Sequence, residues 1–297
     1  SRLASIGLSH MTSFVNFAEA HGLIIRSLIP DRWMRVPTVD HPRKRNGAYK
    51  YLGNIGFVQN HATQTEVAVW RAEKNIYARA VDPAELARRR ALAEAETKAE
   101  QRKAAEKARW IINQCRHDLH PYLEKKGFSE TTGLVWETQD ARLLVVPMRA
   151  GKELVGCQLI DSEGNKKFLK GQCTNDACFV IGNGGLNVLC EGYATALSIH
   201  RAAAALKAHC CVLVCFSAHN LVRIAKTLQK AVIVADNDVS GAGERAAKET
   251  SFPYWLSQGV GEDFNDYSRR VPLFASSQAL RGLIYARKNQ AGRISTA

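Results

Sequence analysis

Three short apolar runs, Leu186–Cys190, Cys210–Phe216 and Ala231–Ala235, each followed by a helical pattern, constrain this chain more than any other feature. Unbroken aliphatic and β-branched runs of this length read as strands buried on both faces. Strands that alternate with helices specify a doubly wound parallel sheet with right-handed crossovers. Two of the runs end in acid. Ala231–Ala235 leads into Asp236-Asn237-Asp238, and on an extended backbone the two carboxylates leave the same face before Ser240–Gly243 turns the chain into the helical pattern GERAAKE. Leu186–Cys190 ends at Glu191, then Gly192 and a helix through Leu197–His200. Ligands of open parallel sheets gather at the carboxyl ends of the strands. Clustered carboxylates repel one another unless a cation lies between them, so a hard, oxygen-liking ion such as Mg²⁺ suits this edge. The bland alternative is an acidic loop that caps the following helix. Further on, Pro253–Leu256 reads as a fourth strand, and GEDFNDY, residues 261–267, as a loop carrying Asp263 and Asp266.

The Glu-Gly-x-x-Thr-Ala strand end at 191–196 and the Asp-x-Asp strand end at 236–238, with a strand and helix between them, resemble the Toprim domain. That domain is shared by primases, type IA and II topoisomerases and certain nucleases, and the resemblance covers about residues 181–270. The DFND segment, residues 263–266, is similar to the phage and plasmid branch of bacterial-type primases. The resemblance implies that Glu191, Asp236 and Asp238 are metal-binding and catalytic acids, that Asp263 is a further acid beside them, and that the cofactor is Mg²⁺ or Mn²⁺. It implies an enzyme that makes short RNA primers on single-stranded DNA from nucleoside triphosphates, with Glu191 acting as metal ligand or as proton acceptor. Two rival readings are a Toprim metal-dependent nuclease and a non-catalytic accessory protein that binds single strands. His219 stands where primase relatives carry glycine and reads as a loop residue near the site.

Lys and Arg exceed Asp and Glu by 41 to 28, a formal charge of +13, which favours a polyanionic partner, nucleic acid first. No apolar run reaches the ~20 residues a membrane helix needs, and no signal sequence is evident, so no membrane partner is expected. Eight cysteines, several inside apolar runs, read as free thiols of a reducing cytoplasm. Cys115, His117 and His120 lie close together, but on the helix expected there they diverge, so zinc is disfavoured. Gly182–Gly185 and Gly241–Gly243 lack the lysine-hydroxyl ending of a phosphate loop, so helicase chemistry is not expected of this chain and would come from a larger parent protein or a separate replicative helicase.

Along the chain, residues 1–11 read as an expression remnant without periodicity. Residues 12–81 read as an N-terminal α+β domain with a basic, aromatic stretch in which Asn46-Gly47 turns between strands. There Arg43, Lys44, Arg45, Lys50 and Tyr49 are the expected template-binding residues, the bases stacking on aromatic rings. The rival reading places those aromatics in the domain's own core. Residues 82–119, rich in Ala, Glu, Lys and Arg, read as a long connector helix starting at Asp82-Pro83. Residues 120–181 read as a basic antiparallel subdomain, with three strands between Ala141 and Phe168. By resemblance to the segment before Toprim in primases, Arg149, Lys166, Lys167 and Lys170 would bind nucleotide or template phosphate, with Lys167 over the acidic edge. Residues 182–270 are the expected Toprim domain, and 271–297 a tail with a helix near Gln278–Lys288.

Overall fold

An antiparallel meander under one helix forms the N-terminal unit, Ser1–Glu85. Helix α1 (Arg2–Ala20) covers strands β1 (Met34–Val36), β2 (Gly47–Tyr51), β3 (Ile55–Asn60) and β4 (Ala68–Arg71), which pair in that order. A computed structural model, the structure describes residues 2–61, 63, 66–72 and 83–285. Phe14, Leu23, Tyr49, Tyr51, Val58 and Trp70 fill this unit's core. Gly56 is required on β3 because a Cβ there would stand 2.2 Å from the Phe14 ring. Helix α1 runs through the segment read as an expression remnant, and Met11 packs against the core.

Two expectations for this unit are corrected. Asn46-Gly47 is not the hairpin turn. Gly47 opens β2 with Leu23, Val36 and Thr38 packed against it, and the β2–β3 turn is Gly53-Asn54, where Leu52 N donates to Ile55 O and Gly53 takes φ +86°. Tyr49 offers no stacking face. It is fully buried, and its hydroxyl accepts from Ile29 N and donates to Ser27 O. Arg43, Lys44 and Arg45 are exposed, and the exposed aromatic among the described residues of this unit is Trp33, 51% accessible and packed on Phe57.

The second unit runs from Leu86. Helix α2 (Pro83–Gln114) leads into β5 (Arg116–Asp118), the short helix α3 (Pro121–Lys125), and strands β6 (Gly133–Glu137), β7 (Arg142–Ala150), β8 (Glu153–Ile160) and β9 (Lys166–Phe168). These strands pair antiparallel in chain order. Then follow β10 (Phe179–Ile181), β11 (Leu186–Cys190), α4 (Tyr193–Ala205), β12 (Cys210–Val214), α5 (Ala218–Ala225), β13 (Ala231–Ala235), α6 (Ala242–Thr250), β14 (Tyr254–Leu256), α7 (Phe264–Arg270) and α8 (Leu273–Ile284). The second sheet has the order β10-β12-β11-β13-β14, parallel except for its antiparallel edge strand β10. The part of the expected C-terminal helix beyond Tyr285 lies outside the described residues.

Alternation along each strand builds the layers. In the parallel sheet Val188, Val212, Val214, Val232 and Val234 face α4, α7 and α8, while Leu189, Leu213, Ile233 and Ala235 face α5 and α6. Helices thus cover both faces, as the continuous apolar runs require. The antiparallel sheet is also buried on both faces. Leu144, Val146 and Ile160 join the same core as Val188 and Val232, and Val145 and Cys157 pack under Ala104, Ala108 and Ile111 of α2. The later turns of α2 are therefore a packed layer, with alanines where the helix meets the sheet.

Past α2 the structure departs from a continued helix. The chain leaves α2 at Gln114, and His117 is exposed on β5. His120 is buried as the N-cap of α3: its ring accepts from Tyr122 N, and its other nitrogen lies 3.0 Å from Arg142 O. Asp266 lies in the first turn of α7 and Asp263 is the helix's N-cap, so neither sits in an open loop. They form the reciprocal capping box of α7, with Asp266 N donating to Asp263 Oδ1 at 2.8 Å. Between them Phe264 is buried, and Asn265 donates through Nδ2 to Lys126 O and Ser198 Oγ, both at 2.9 Å. The DFND segment is thereby a clamp joining α3, α4 and α7. Asn265→Ala should lower unfolding free energy by about 1–3 kcal/mol, since it leaves two buried acceptors unpaired. Urea denaturation followed by tryptophan fluorescence measures it.

Candidate active site

The register of the parallel sheet decides where the acids stand. Val188 pairs with Val232 and Leu189 with Ile233, so Glu191, just after β11, and Asp236, just after β13, emerge side by side at the same sheet edge. Both line a cleft of 170 Å³ whose other walls include Lys126, Lys166, Thr195, Phe216 and Asp263. The antiparallel sheet supplies Gln158 and Lys166, so the cleft lies between the two sheets.

The three residues of Asp236-Asn237-Asp238 go three ways. Asp238 caps α6: Oδ2 accepts from Gly243 N at 3.0 Å, Oδ1 accepts from Ala242 N at 3.3 Å, and the Ser240 hydroxyl donates to it. These donors hold its carboxyl below the usual range against the opposing effect of partial burial. Asn237 ties the strand end to the next loop, with Nδ2 donating to Ser257 O at 3.0 Å. Asp236 turns into the cleft, where its Oδ1 is buried with no hydrogen-bond partner. Gly243 lets α6 start so close, because a Cβ there would lie 2.2 Å from Asp236 O.

Burial, with Glu191 and Asp263 adding to it, pushes the Asp236 carboxyl up to about 7, against the opposing pull of Lys166. Glu191 is likewise raised, first by burial and then by Asp238, while the Ala218 backbone N–H at the start of α5 and the Lys166 ammonium favour its charged form. A Cβ on Gly192 would stand 3.9 Å from Lys166 Nζ, which places that ammonium over the Glu191-Gly192 turn. Lys126 pairs with Asp266 at 3.5 Å at the cleft's far wall. Thr195 Oγ1 is buried and unpartnered, and the buried Tyr122 hydroxyl approaches the Ala194 backbone without hydrogen-bond geometry. Of five such unpartnered buried side-chain atoms among the described residues, three line this one cleft. Buried polar groups are rarely left unmet, so their clustering marks a place built for a polar ligand.

Among the described residues, no three His, Cys, Asp or Glu side chains converge closely enough to hold a metal ion unaided. Asp238 is engaged with α6, and Asp263, which also lines the cleft, caps α7, so Glu191 and Asp236 are the principal donors facing it. That donor set fits Mg²⁺, which keeps several waters and is commonly bound by one or two carboxylates together with substrate phosphates. Of the expected phosphate-binding residues, Lys166 lines the cleft. Lys167 projects from the opposite face of β9, Lys170 lies past its end, and Arg149 sits at the β7–β8 turn beside Lys152. Sequence reasoning missed Lys126, Gln158, Thr195 and Phe216. Thr195 was visible within the Glu-Gly-x-x-Thr-Ala pattern, whereas the other three reach the cleft only through packing between sheets.

A carboxyl raised from 3.8 to about 7 binds a proton in the folded chain that it releases when unfolded, so its contribution to stability is full below about pH 4 and is lost as pH rises to about 7. In chelator, the wild type should therefore lose on the order of 2 kcal/mol more between pH 5 and pH 8 than Asp236→Asn does. At pH 8, millimolar Mg²⁺ should restore the wild type and leave the variant unmoved, as thermal melts in both buffers would show.

Residues 187–271 match the Toprim domain family. The DNA primase TraC of Escherichia coli is 27% identical over 215 residues, covering 63% of this chain and 19% of that protein, so the chain spans about a fifth of that relative's length. Two solved structures overlay loosely at TM-score 0.41. The primase fragment of the bacteriophage T7 primase-helicase protein is 13% identical and covers 58% of this chain and 75% of that one. Primase domains bound to an RNA/DNA hybrid and dTTP, in a complex with T7 lagging-strand DNA polymerase, are 15% identical, covering 60% and 93%. With Glu191 and Asp236 at the carboxyl edge of its parallel sheet, the segment 187–271 is similar to the Toprim domain family, and the chain around it is similar to a DNA primase.

Proposed function

We propose that this chain is a DNA primase that joins nucleotides into short RNA primers on single-stranded DNA in phage or plasmid replication. The observation that carries the reading is the cleft where Glu191 and the unpartnered Asp236 Oδ1 face the lysines Lys126 and Lys166. Carboxylates for a divalent ion beside ammonium groups for phosphate are what nucleotidyl transfer requires, because it depends on positioning and charge far more than on covalent help from the protein. The Toprim match and a relative named as a primase support the same reading.

In this reading Asp236 would hold Mg²⁺ or Mn²⁺ beside Glu191, with Asp238 and Asp263 lending negative charge from behind. The ion, when bound, offsets charge that builds on the transferred phosphoryl group. Lys166 and Lys126 orient the triphosphate of the incoming nucleotide, and Lys167, Lys170 and Arg149 extend positive charge along the same sheet for the template backbone. Glu191, with its raised proton affinity, accepts the proton of the attacking hydroxyl. Arg43, Lys44, Arg45 and Lys50 of the N-terminal unit add template affinity that weakens with salt.

Glu191→Gln should lower primer synthesis by about 100-fold or more, the scale of a lost acid–base group, while single-strand affinity stays unchanged. Lys166→Ala should raise KM for nucleotide more than it lowers kcat. One assay decides: labelled nucleoside triphosphates, single-stranded template and Mg²⁺ or Mn²⁺, read for new oligonucleotide and for template degradation together. Template degradation without primer would assign the cleft to a nuclease, and full synthesis by Glu191→Gln would remove the cleft from the reaction.

A further inference from the structure

We infer that Phe168 and Phe216 form a stacking platform for the base of the nucleotide whose phosphates enter the acidic cleft. The inference rests on the triphosphate reading above and deepens it. The cleft measures 170 Å³, whereas pockets that enclose a whole small ligand run about 300–1,000 Å³. It therefore has room for an ion and phosphates, and the base and sugar must lie on its rim. Along β9, Lys166 and Phe168 share a face, two residues or roughly 7 Å apart. Phosphates held at Lys166 thus leave the rest of the nucleotide running toward Phe168.

Phe216 meets Phe168 there edge to face, with ring centroids 6.2 Å apart and planes at 80°. Phe216 itself lines the cleft, while Phe168 keeps 44% of its surface open. An aromatic that served only the core would close over, as Phe264 does at 0%. An edge-to-face pair also leaves one ring face free, the surface on which bases stack.

The backbone of Phe216 gives a second, independent indication. It adopts φ +66°, the left-handed region that bulky side chains avoid and glycine occupies freely. Two constraints hold it there. Its N–H donates to Glu191 O at 3.0 Å, and the next residue, Ser217, caps α5. Backbone strain of this kind persists where the surroundings over-determine it and gathers at ligand sites. The turn that strains Phe216 also fixes its ring relative to Glu191.

Calorimetry on the full chain with Mg²⁺, using ATP and inorganic tripolyphosphate as probes, tests the platform. Phe216→Gly suits the observed φ but removes a ring packed against the core, so its melting temperature is read beside its affinities and Phe168→Leu serves as the second variant. Both should weaken ATP about tenfold, the low end of a lost base stack, with tripolyphosphate affinity unchanged and Phe216→Tyr near wild type. Unchanged ATP affinity in both variants, or equal weakening for both probes, would overturn the platform and leave the triphosphate reading standing. A wild type that binds tripolyphosphate as tightly as ATP would do the same. A wild type that binds neither probe would overturn both.

Discussion

Two carboxylates forced together in a half-dry cleft are the constraint on which the rest of this structure turns. The parallel pairing of β11 with β13 leaves Glu191 and Asp236 no way to separate, because both leave their strands at one edge. Each is raised by burial and by its acidic neighbours. The surroundings ease the repulsion only in part: the Ala218 N–H reaches Glu191, and Lys166 acts on both. A fully neutralised site would have no use for a cation, whereas this one retains charge and an unmet oxygen.

The second aspartate of the pair shows how one motif divides its labour. Asp238 does what the bland reading assigned to both residues, accepting the first N–H groups of α6. Its energy goes into placing the helix, and the helix, through Gly243, fixes the carbonyl of Asp236. Asp263 repeats the arrangement at α7, capping a helix with one oxygen while lining the cleft. Helix capping and charge placement are therefore the same set of contacts here, so the acids are positioned by the strongest local signals in the sequence.

The parallel sheet was legible because its strands are apolar on both faces and its acids follow at once. What escaped depends on contacts between distant segments. Lys166 rather than Lys167 enters the cleft because β9 pairs in the register Leu159–Lys167, a matter of one residue that composition does not encode. Tyr49 looked like a base-stacking residue among lysines and arginines, yet its position on β2 faces Phe14, and the core takes it. Asp263 and Asp266 were visible as acids, but their reciprocal capping is evident only once Phe264 is seen buried between helices. His120, close in sequence to Cys115 and His117 but disfavoured as a zinc ligand, proves to be a helix cap.

The antiparallel sheet and the parallel sheet share one continuous core, with Leu144, Val146 and Ile160 against the side chains that surround Val188 and Val232. Their sequence boundary near residue 181 is thus a boundary of topology and not of independence. Exchange of segments between related genes would not be tolerated at that point, because each half would arrive with half an oil-filled seam and half a cleft. The basic strands and the acidic edge are thus one physical block, and the match of positive to negative charge across the cleft is tied to the packing of the seam.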